Sequence, residues 1–247
     1  MTRRWRRTKR FAGVSGAFIA AIAVIAGCIA FVTDGSLLTR SAADAQTPVP
    51  GLSTPSSDGS LAIDVLAALP VKGRAPKTGY DRTEMFGTAW MDVDRNGCDT
   101  RNDILARDLT DEVLEGRCTV LAGVLVDPYT GKTIHFRRGS QTSTEVQIDH
   151  VVALMNAWET GAQQLTQAER VALANDPLNL LAVDGPTNQQ KGAGDAATWL
   201  PPNKAFRCEY VARQVSVKFR YGLWVTRAER DAIARVLKTC PDQRAYL

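Results

Sequence analysis

The chain has 247 residues, 45% hydrophobic and 23% charged, which is room for one ordinary domain plus appendages. Its formal net charge of +4 misleads, because the first 45 residues hold seven basic and two acidic side chains and the remainder nets −1. That balance excludes a generally basic nucleic-acid binder, so any phosphate affinity has to come from a local cluster or a bound cation.

The chain begins with Arg3, Arg4, Arg6, Arg7, Lys9 and Arg10, and residues 11–32 are uncharged and rich in Ala, Ile, Val and Gly. A basic stretch followed by an apolar run is how an export signal starts. Residues 1–32 are therefore read as a signal peptide or an N-terminal membrane anchor. The apolar run is long enough to span a bilayer. Ala43-Asp44-Ala45 offers a cleavage site, and Ile25-Ala26-Gly27-Cys28 resembles a lipoprotein box, although the apolar run continues past Cys28. Each outcome delivers the rest of the chain outside, secreted or tethered to the outer face of the membrane, with membrane contact only through this segment. Residues 33–79, rich in Ser, Thr, Pro, Asp and Gly, are predicted to form a flexible linker with one short helix at 63–69. The folded domain is placed at 80–241.

Within that domain, apolar spacing predicts a helix over 101–114. A β-rich run at 119–126, the turn Asp127-Pro128-Tyr129-Thr130-Gly131 and a second run at 132–136 predict a hairpin. A short strand follows at 146–148, then a helix at 151–160, and Thr166-x-x-Glu169 is a capping box opening another. Residues 179–183 read as a strand and 205–219 as a helix. Thr226-x-x-Glu229 caps a last helix ending near Cys240. Mixed helices and antiparallel hairpins give an α+β class.

Besides Cys28 there are four cysteines, Cys98, Cys118, Cys208 and Cys240. An even count outside the cytoplasm reads as two disulfides, with three pairings open. Cys98–Cys118 with Cys208–Cys240 is favoured, because each pair brackets one local stretch. The absence of any C-x-x-C pair argues against a four-cysteine zinc site.

The chain has two histidines, too few for a three-histidine zinc centre. His135 lies in a predicted strand without acidic neighbours and is read as structural. His150 follows Asp149 directly at the end of an apolar strand, in Val146-Gln147-Ile148-Asp149-His150-Val151-Val152, which places a hard oxygen ligand beside a base of near-neutral pKa. Downstream lie Asn179-Leu180-Leu181-Ala182-Val183 and then Asn188-Gln189-Gln190-Lys191-Gly192.

This order of Asp-His, N-L-x-x-[VL] and N-x-x-K-G resembles the motif of HNH, or ββα-metal, nucleases. Tyr80-Asp81-Arg82, Phe86-Gly87, Gly97-Cys98-Asp99-Thr100-Arg101-Asn102 and Trp199-Leu200-Pro201-Pro202-Asn203 extend the similarity to the secreted branch of that family, which is related to the HNH domain of the GmrSD restriction enzymes. Ala153 stands where many such motifs carry proline after D-H-x-x. The resemblance implies a ββα-metal core with additional helices and a β-hairpin, stapled by two disulfides. It implies a metal-dependent endonuclease acting on nucleic acid, with DNA the expected partner and little sequence preference, and products with 5′-phosphate and 3′-hydroxyl ends. His150 would be the general base, Asp149 and Asn188 would bind one divalent cation (Mg²⁺, or alternatively Mn²⁺), Asn179 would pin the loop that aims His150, and Lys191 would contact phosphate.

A second constellation, Asp92, Asp94, Asn96, Asp99 and Asp103, has spacing like an EF-hand loop. It is read as an acidic turn held by a disulfide, with a structural Ca²⁺ site as the alternative. Arg101 is a further candidate for phosphate contact. Arg137, Arg138, Lys204, Arg207, Arg213, Lys218 and Arg220 are read either as a nucleic-acid groove or as solvated faces. The tryptophans read as core, with Trp199 the best exception for base stacking. Two rival functions stay open: a non-catalytic, calcium-stabilised surface binding module, and a phosphodiesterase acting on RNA or nucleotides.

Overall fold

The computed structural model describes residues 59–140 and 142–247. The expected export segment and most of the expected linker lie outside these residues. The linker's last third does not behave as one. Helix α1 (Ala62–Ala68) buries Ala62, Val65 and Leu66, an i, i+3, i+4 stripe. Backbone hydrogen bonds lace this segment to the far end of the chain: Ala62 N to Gln243 O and Ala245 N to Ser60 O, both 2.9 Å or shorter, and Val225 N to Pro70 O at 3.0 Å. The short helix expected at 63–69 is α1, and it packs its apolar stripe against the C-terminal helices.

Helix α2 (Arg82–Phe86), not expected from the sequence, is capped by the Asp81 carboxylate and anchored by buried Phe86. A loop leads to α3 (Thr100–Asp108), capped by Asp99. The expected helix over 101–114 stops there. Residues beyond it form β1 (Thr110–Glu115), all exposed, which pairs antiparallel with β2 (Thr119–Val126). Val113 and Leu114 are exposed on that edge strand, so their helix-like spacing served no core. Strand β3 (Thr133–Arg137) completes a sheet of order β1-β2-β3.

The second sheet is the antiparallel pair β4 (Val146–His150) and β5 (Leu180–Asp184), with Asp149 opposite Leu181 and His150 opposite Leu180. Between them run α4 (Leu154–Glu159) and α5 (Gln167–Asn175), the latter opened by the Thr166/Glu169 capping box. Helix α6 (Gly185–Lys191) follows β5 directly, capped by Asp184 with Pro186 in its first turn, and packs back across β4 and β5. Gly185 is required there: a Cβ would lie 2.0 Å from the Thr144 carbonyl oxygen. The amphipathic helices α7 (Arg207–Arg220) and α8 (Arg227–Leu237) close the chain, α8 through the Thr226/Glu229 capping box.

Three apolar clusters hold these elements. One joins α1, α7 and α8 around Tyr129 and Tyr210. A second joins Phe86 to α4 and α5 through Trp158, and a third packs α3 against β2, β3, β4 and β5. Both favoured disulfides are present, Cys98–Cys118 with Cα atoms 5.3 Å apart and Cys208–Cys240 at 6.4 Å. The result is a mixed α/β protein with two small sheets and two disulfides.

Candidate functional site

Sheet β4-β5 and helix α6 bring the residues singled out in the sequence to one place. The turn after β4 is extended because Asn179 holds it. Val151 N donates to the Asn179 backbone oxygen at 2.8 Å, and Val152 N donates to its side-chain oxygen at 2.8 Å. Asn179 Nδ2 reaches back to the Leu173 carbonyl at 3.2 Å, and the residue is fully buried. These bonds delay the expected helix start from 151 to Leu154 and fix the exit of the chain from His150.

His150 is 6% exposed, and its Nε2 lies 2.8 Å from the Ala174 carbonyl oxygen. A carbonyl can only accept, so Nε2 carries the proton and a neutral ring keeps its lone pair on Nδ1. Burial pushes the imidazole down from 6.5 to about 3; the Ala174 bond opposes this, and the charges of Arg82 and Lys191 add to it. The ring is therefore neutral at pH 7. Trp90 stacks on it with centroids 5.9 Å apart and planes 11° from parallel.

Asp149, beside it, is held on both oxygens. Lys191 Nζ donates to Oδ1 at 3.0 Å, lies 2.9 Å from Oδ2, and also donates to the His150 carbonyl at 2.8 Å. The Tyr129 hydroxyl donates to Oδ2 at 2.5 Å. Burial and the Asp149 charge hold Tyr129 well above its ordinary pKa, which keeps that proton in place. Tyr129 sits in the β2–β3 turn, and Asp127 of the same turn accepts from Asp184 N at 3.0 Å, docking the turn against the start of α6. Lys191 is thus not an open phosphate contact. Its side chain is wholly buried and committed to Asp149.

Asn188 is oriented by a short relay. Gln147 Nε2 donates to the Thr144 carbonyl at 3.3 Å, which leaves Gln147 Oε1 to accept from Asn188 Nδ2 at 3.0 Å. The Asn188 amide oxygen takes no hydrogen bond from the described residues. Gln147, Asp149, His150 and Asn188 line one open cleft of about 320 Å³ together with Tyr80 and Arg82. Arg82, at the first position of α2, forms no ion pair among the described residues and also lines the small cavity on the other side of His150. Arg82 belongs to the quoted Tyr80-Asp81-Arg82 but had no role from the sequence, Gln147 was marked only by its place beside Asp149-His150, and Trp90 and Tyr129 lie too far upstream of the motif to carry a signal.

Residues 99–236, more than half of the chain, match the family of GmrSD restriction endonucleases, C-terminal domain. The chain belongs to that family. It is also 36% identical over 197 residues to a protein of Arthroderma benhamiae described as an uncharacterized secreted protein, an alignment covering 78% of this chain and 92% of the relative. No solved structure matches the chain.

The remaining candidates lie elsewhere. Asp92, Asp94 and Asp103 gather around Asn96, whose backbone and side-chain nitrogens donate to them at 3.1–3.2 Å. Asp99 turns away to cap α3, taking Asn102 N at 2.9 Å and Asn102 Nδ2 at 2.7 Å. Among the described residues no three His, Cys, Asp or Glu side chains group closely enough to hold a metal ion. Arg101 donates to the Val146 carbonyl, at the end of β4 away from His150. Of the suggested basic groove, Lys218 is buried on Glu229, Arg220 and Arg213 pair with Asp176 and Glu209, and Lys204 and Arg207 line a pocket separate from the His150 cleft. Trp199 is partly buried and packs edge-on against the core residues Tyr129 and Tyr210.

Proposed function

We propose that the chain is an extracellular, metal-dependent endonuclease that hydrolyses phosphodiester bonds of nucleic acid, DNA in the first instance, and that β4, β5 and α6 are its HNH (ββα-metal) core. The observation that carries this reading is the state of His150. It is neutral, tautomerically fixed by Ala174, and placed beside a carboxylate and an amide oxygen on one cleft wall. Nδ1 is then the ring atom that takes a proton from the attacking water.

The donor set fits a single hard cation rather than a closed metal cage. Asp149 offers carboxylate oxygens and Asn188 an amide oxygen, and a carboxylate has about four lone-pair directions, of which the hydrogen bonds from Lys191 and Tyr129 occupy two. Asp149, Asn188 and waters would hold Mg²⁺ or Mn²⁺, which supplies polarisation of a phosphate oxygen and stabilisation of the leaving oxygen. Lys191 and Tyr129 aim the carboxylate, and Gln147 turns the Asn188 amide oxygen away from itself. Arg82 is the cation free to meet a phosphate at the cleft mouth. The basic and apolar N-terminus, the two disulfides and the secreted relative support export.

A plasmid-nicking assay of the purified chain with Mg²⁺, Mn²⁺, Ca²⁺ or EDTA tests this, with RNA run in parallel. Nicking in Mg²⁺ or Mn²⁺ that EDTA abolishes is the expected result. A folded protein that cuts neither DNA nor RNA with any metal would instead be a surface binding module.

A further inference from the structure

The loop between α2 and α3 carries the acidic residues that the proposed chemistry leaves unused, and near its start it carries the indole that stacks on His150. Trp90 lies nearly parallel to the imidazole, 11° off, at a centroid distance of 5.9 Å, inside the range of offset ring stacking. Its backbone has φ 61°, a left-handed conformation that bulky residues rarely adopt. Such a conformation persists only where the surroundings enforce it, and it concentrates at functional sites.

The enforcement is visible on the C-terminal side of Trp90. The Thr100 hydroxyl donates to the Met91 carbonyl. The Asp92 carboxylate accepts from Asn96 N at 3.1 Å and Gly97 N at 2.9 Å, closing the acidic loop on itself. The Cys98–Cys118 disulfide then ties that loop to the chain just before β2. The indole also packs against the cluster of α3, β2, β3, β4 and β5. The cavity that Trp90 shares with His150, Phe86 and Asn175 is about 20 Å³, space for about one water. The imidazole thus has the Ala174 carbonyl at one edge and the indole across one face, and rotation of the ring about its Cβ–Cγ bond meets Trp90.

From this geometry we infer that Trp90 is a positioning residue for His150, and that the acidic, disulfide-closed loop 91–99 is the buttress that holds Trp90 over the ring. This rests on the reading of His150 as the base. It gives the acidic loop a role that needs no ion.

The test compares the wild type with Trp90→Phe, which keeps a flat ring, and Trp90→Leu, which keeps bulk without a plane. Two readouts are taken at one pH: kcat and KM for nicking, and the ¹⁵N–¹H spectrum of histidine-labelled protein, where His135 is the only other histidine. The expected wild-type spectrum has a slowly exchanging Nε2–H and a single tautomer for His150. In Trp90→Leu that proton exchanges fast, and kcat falls about 10- to 100-fold at nearly constant KM, as for a misplaced catalytic group. Trp90→Phe restores most of both, and replacing Cys98 and Cys118 together by Ser shifts the His150 signal in the same direction as Trp90→Leu. An unchanged His150 signal in folded Trp90→Leu overturns the inference, as does a rise in KM with kcat unchanged, which would make Trp90 a substrate contact. A wild type that cuts no nucleic acid sinks the nuclease reading, and the spectra still decide whether Trp90 fixes the ring. Should Trp90→Leu fail to fold, Trp90→Phe and the cysteine pair carry the comparison.

Discussion

Lys191 and Lys218 both have fully buried side chains, and both meet a carboxylate, at 2.9 Å on Asp149 and 2.7 Å on Glu229. Their surroundings differ. Glu229 is as buried as its lysine, and the Lys218 ammonium is closed off by the Trp224 carbonyl and the Thr160 hydroxyl. Burial drives the Lys218 pKa down, and the Glu229 charge opposes that. Asp149, by contrast, borders the cleft and shares its second oxygen with Tyr129. The same bond therefore has two uses. Between α7 and α8 it is sealed and can only affect stability, whereas between β4 and α6 it holds a carboxylate that lines the cleft.

The largest effect expected from that contrast is on the sealed pair. Lys218→Met leaves the Glu229 charge buried and unpaired, so it should lower unfolding stability by about 3–5 kcal/mol. Changing both residues to apolar ones should recover much of the loss, as denaturant titration would reveal. Lys191→Met should cost only about 1–3 kcal/mol, because water in the cleft can solvate Asp149. It should nonetheless lower cleavage by about 100-fold, since the carboxylate loses its fixed direction. Equal stability losses in the two variants would erase the distinction.

Acid should then report on the site rather than the scaffold. His150 has a folded-state pKa of about 3 against an ordinary 6.5, so below pH 6.5 the unfolded chain takes up a proton that the folded chain refuses. The stability this group contributes is present above pH 6.5 and is lost as pH falls toward 3, roughly 2–3 kcal/mol by pH 4.5. His150→Gln should flatten that part of the stability profile, measured by denaturant midpoints between pH 4.5 and 7. The smallest effect is expected from Tyr129→Phe. It removes one donor from Asp149 while Lys191 remains, for about 1 kcal/mol of stability and a several-fold drop in cleavage.

What could be read in the sequence was what lies close along the chain. Asn179, Asn188 and Lys191 follow one another through a strand and a short helix, and Asp149-His150 sits on the neighbouring strand, so their grouping was legible from the resemblance to the HNH motif. The same holds for the two capping boxes and for cysteines that bracket single stretches. Lys191 was legible in place but not in direction: one helical turn from Asn188, it points inward to Asp149. Trp90, Tyr129 and Arg82 reach the site from 20 or more residues upstream, and no local pattern marks a turn tyrosine as buried or a loop tryptophan as stacked. The strand β1 was hidden because an exposed edge needs no apolar period; the short helix at 63–69 was legible and is α1, but its place in the core was not, because its partners lie at the opposite end of the chain.

The proposed role of His150 is that of the base in a nucleic-acid hydrolase. Single-turnover cleavage of a plasmid in Mg²⁺ and in Mn²⁺ decides it, wild type against His150→Ala, with matched thermal melts to show that both are folded. The expected result is cleavage by the wild type with at least one metal and a loss of at least about 1000-fold in the variant. Cleavage by folded His150→Ala at the wild-type rate would contradict it.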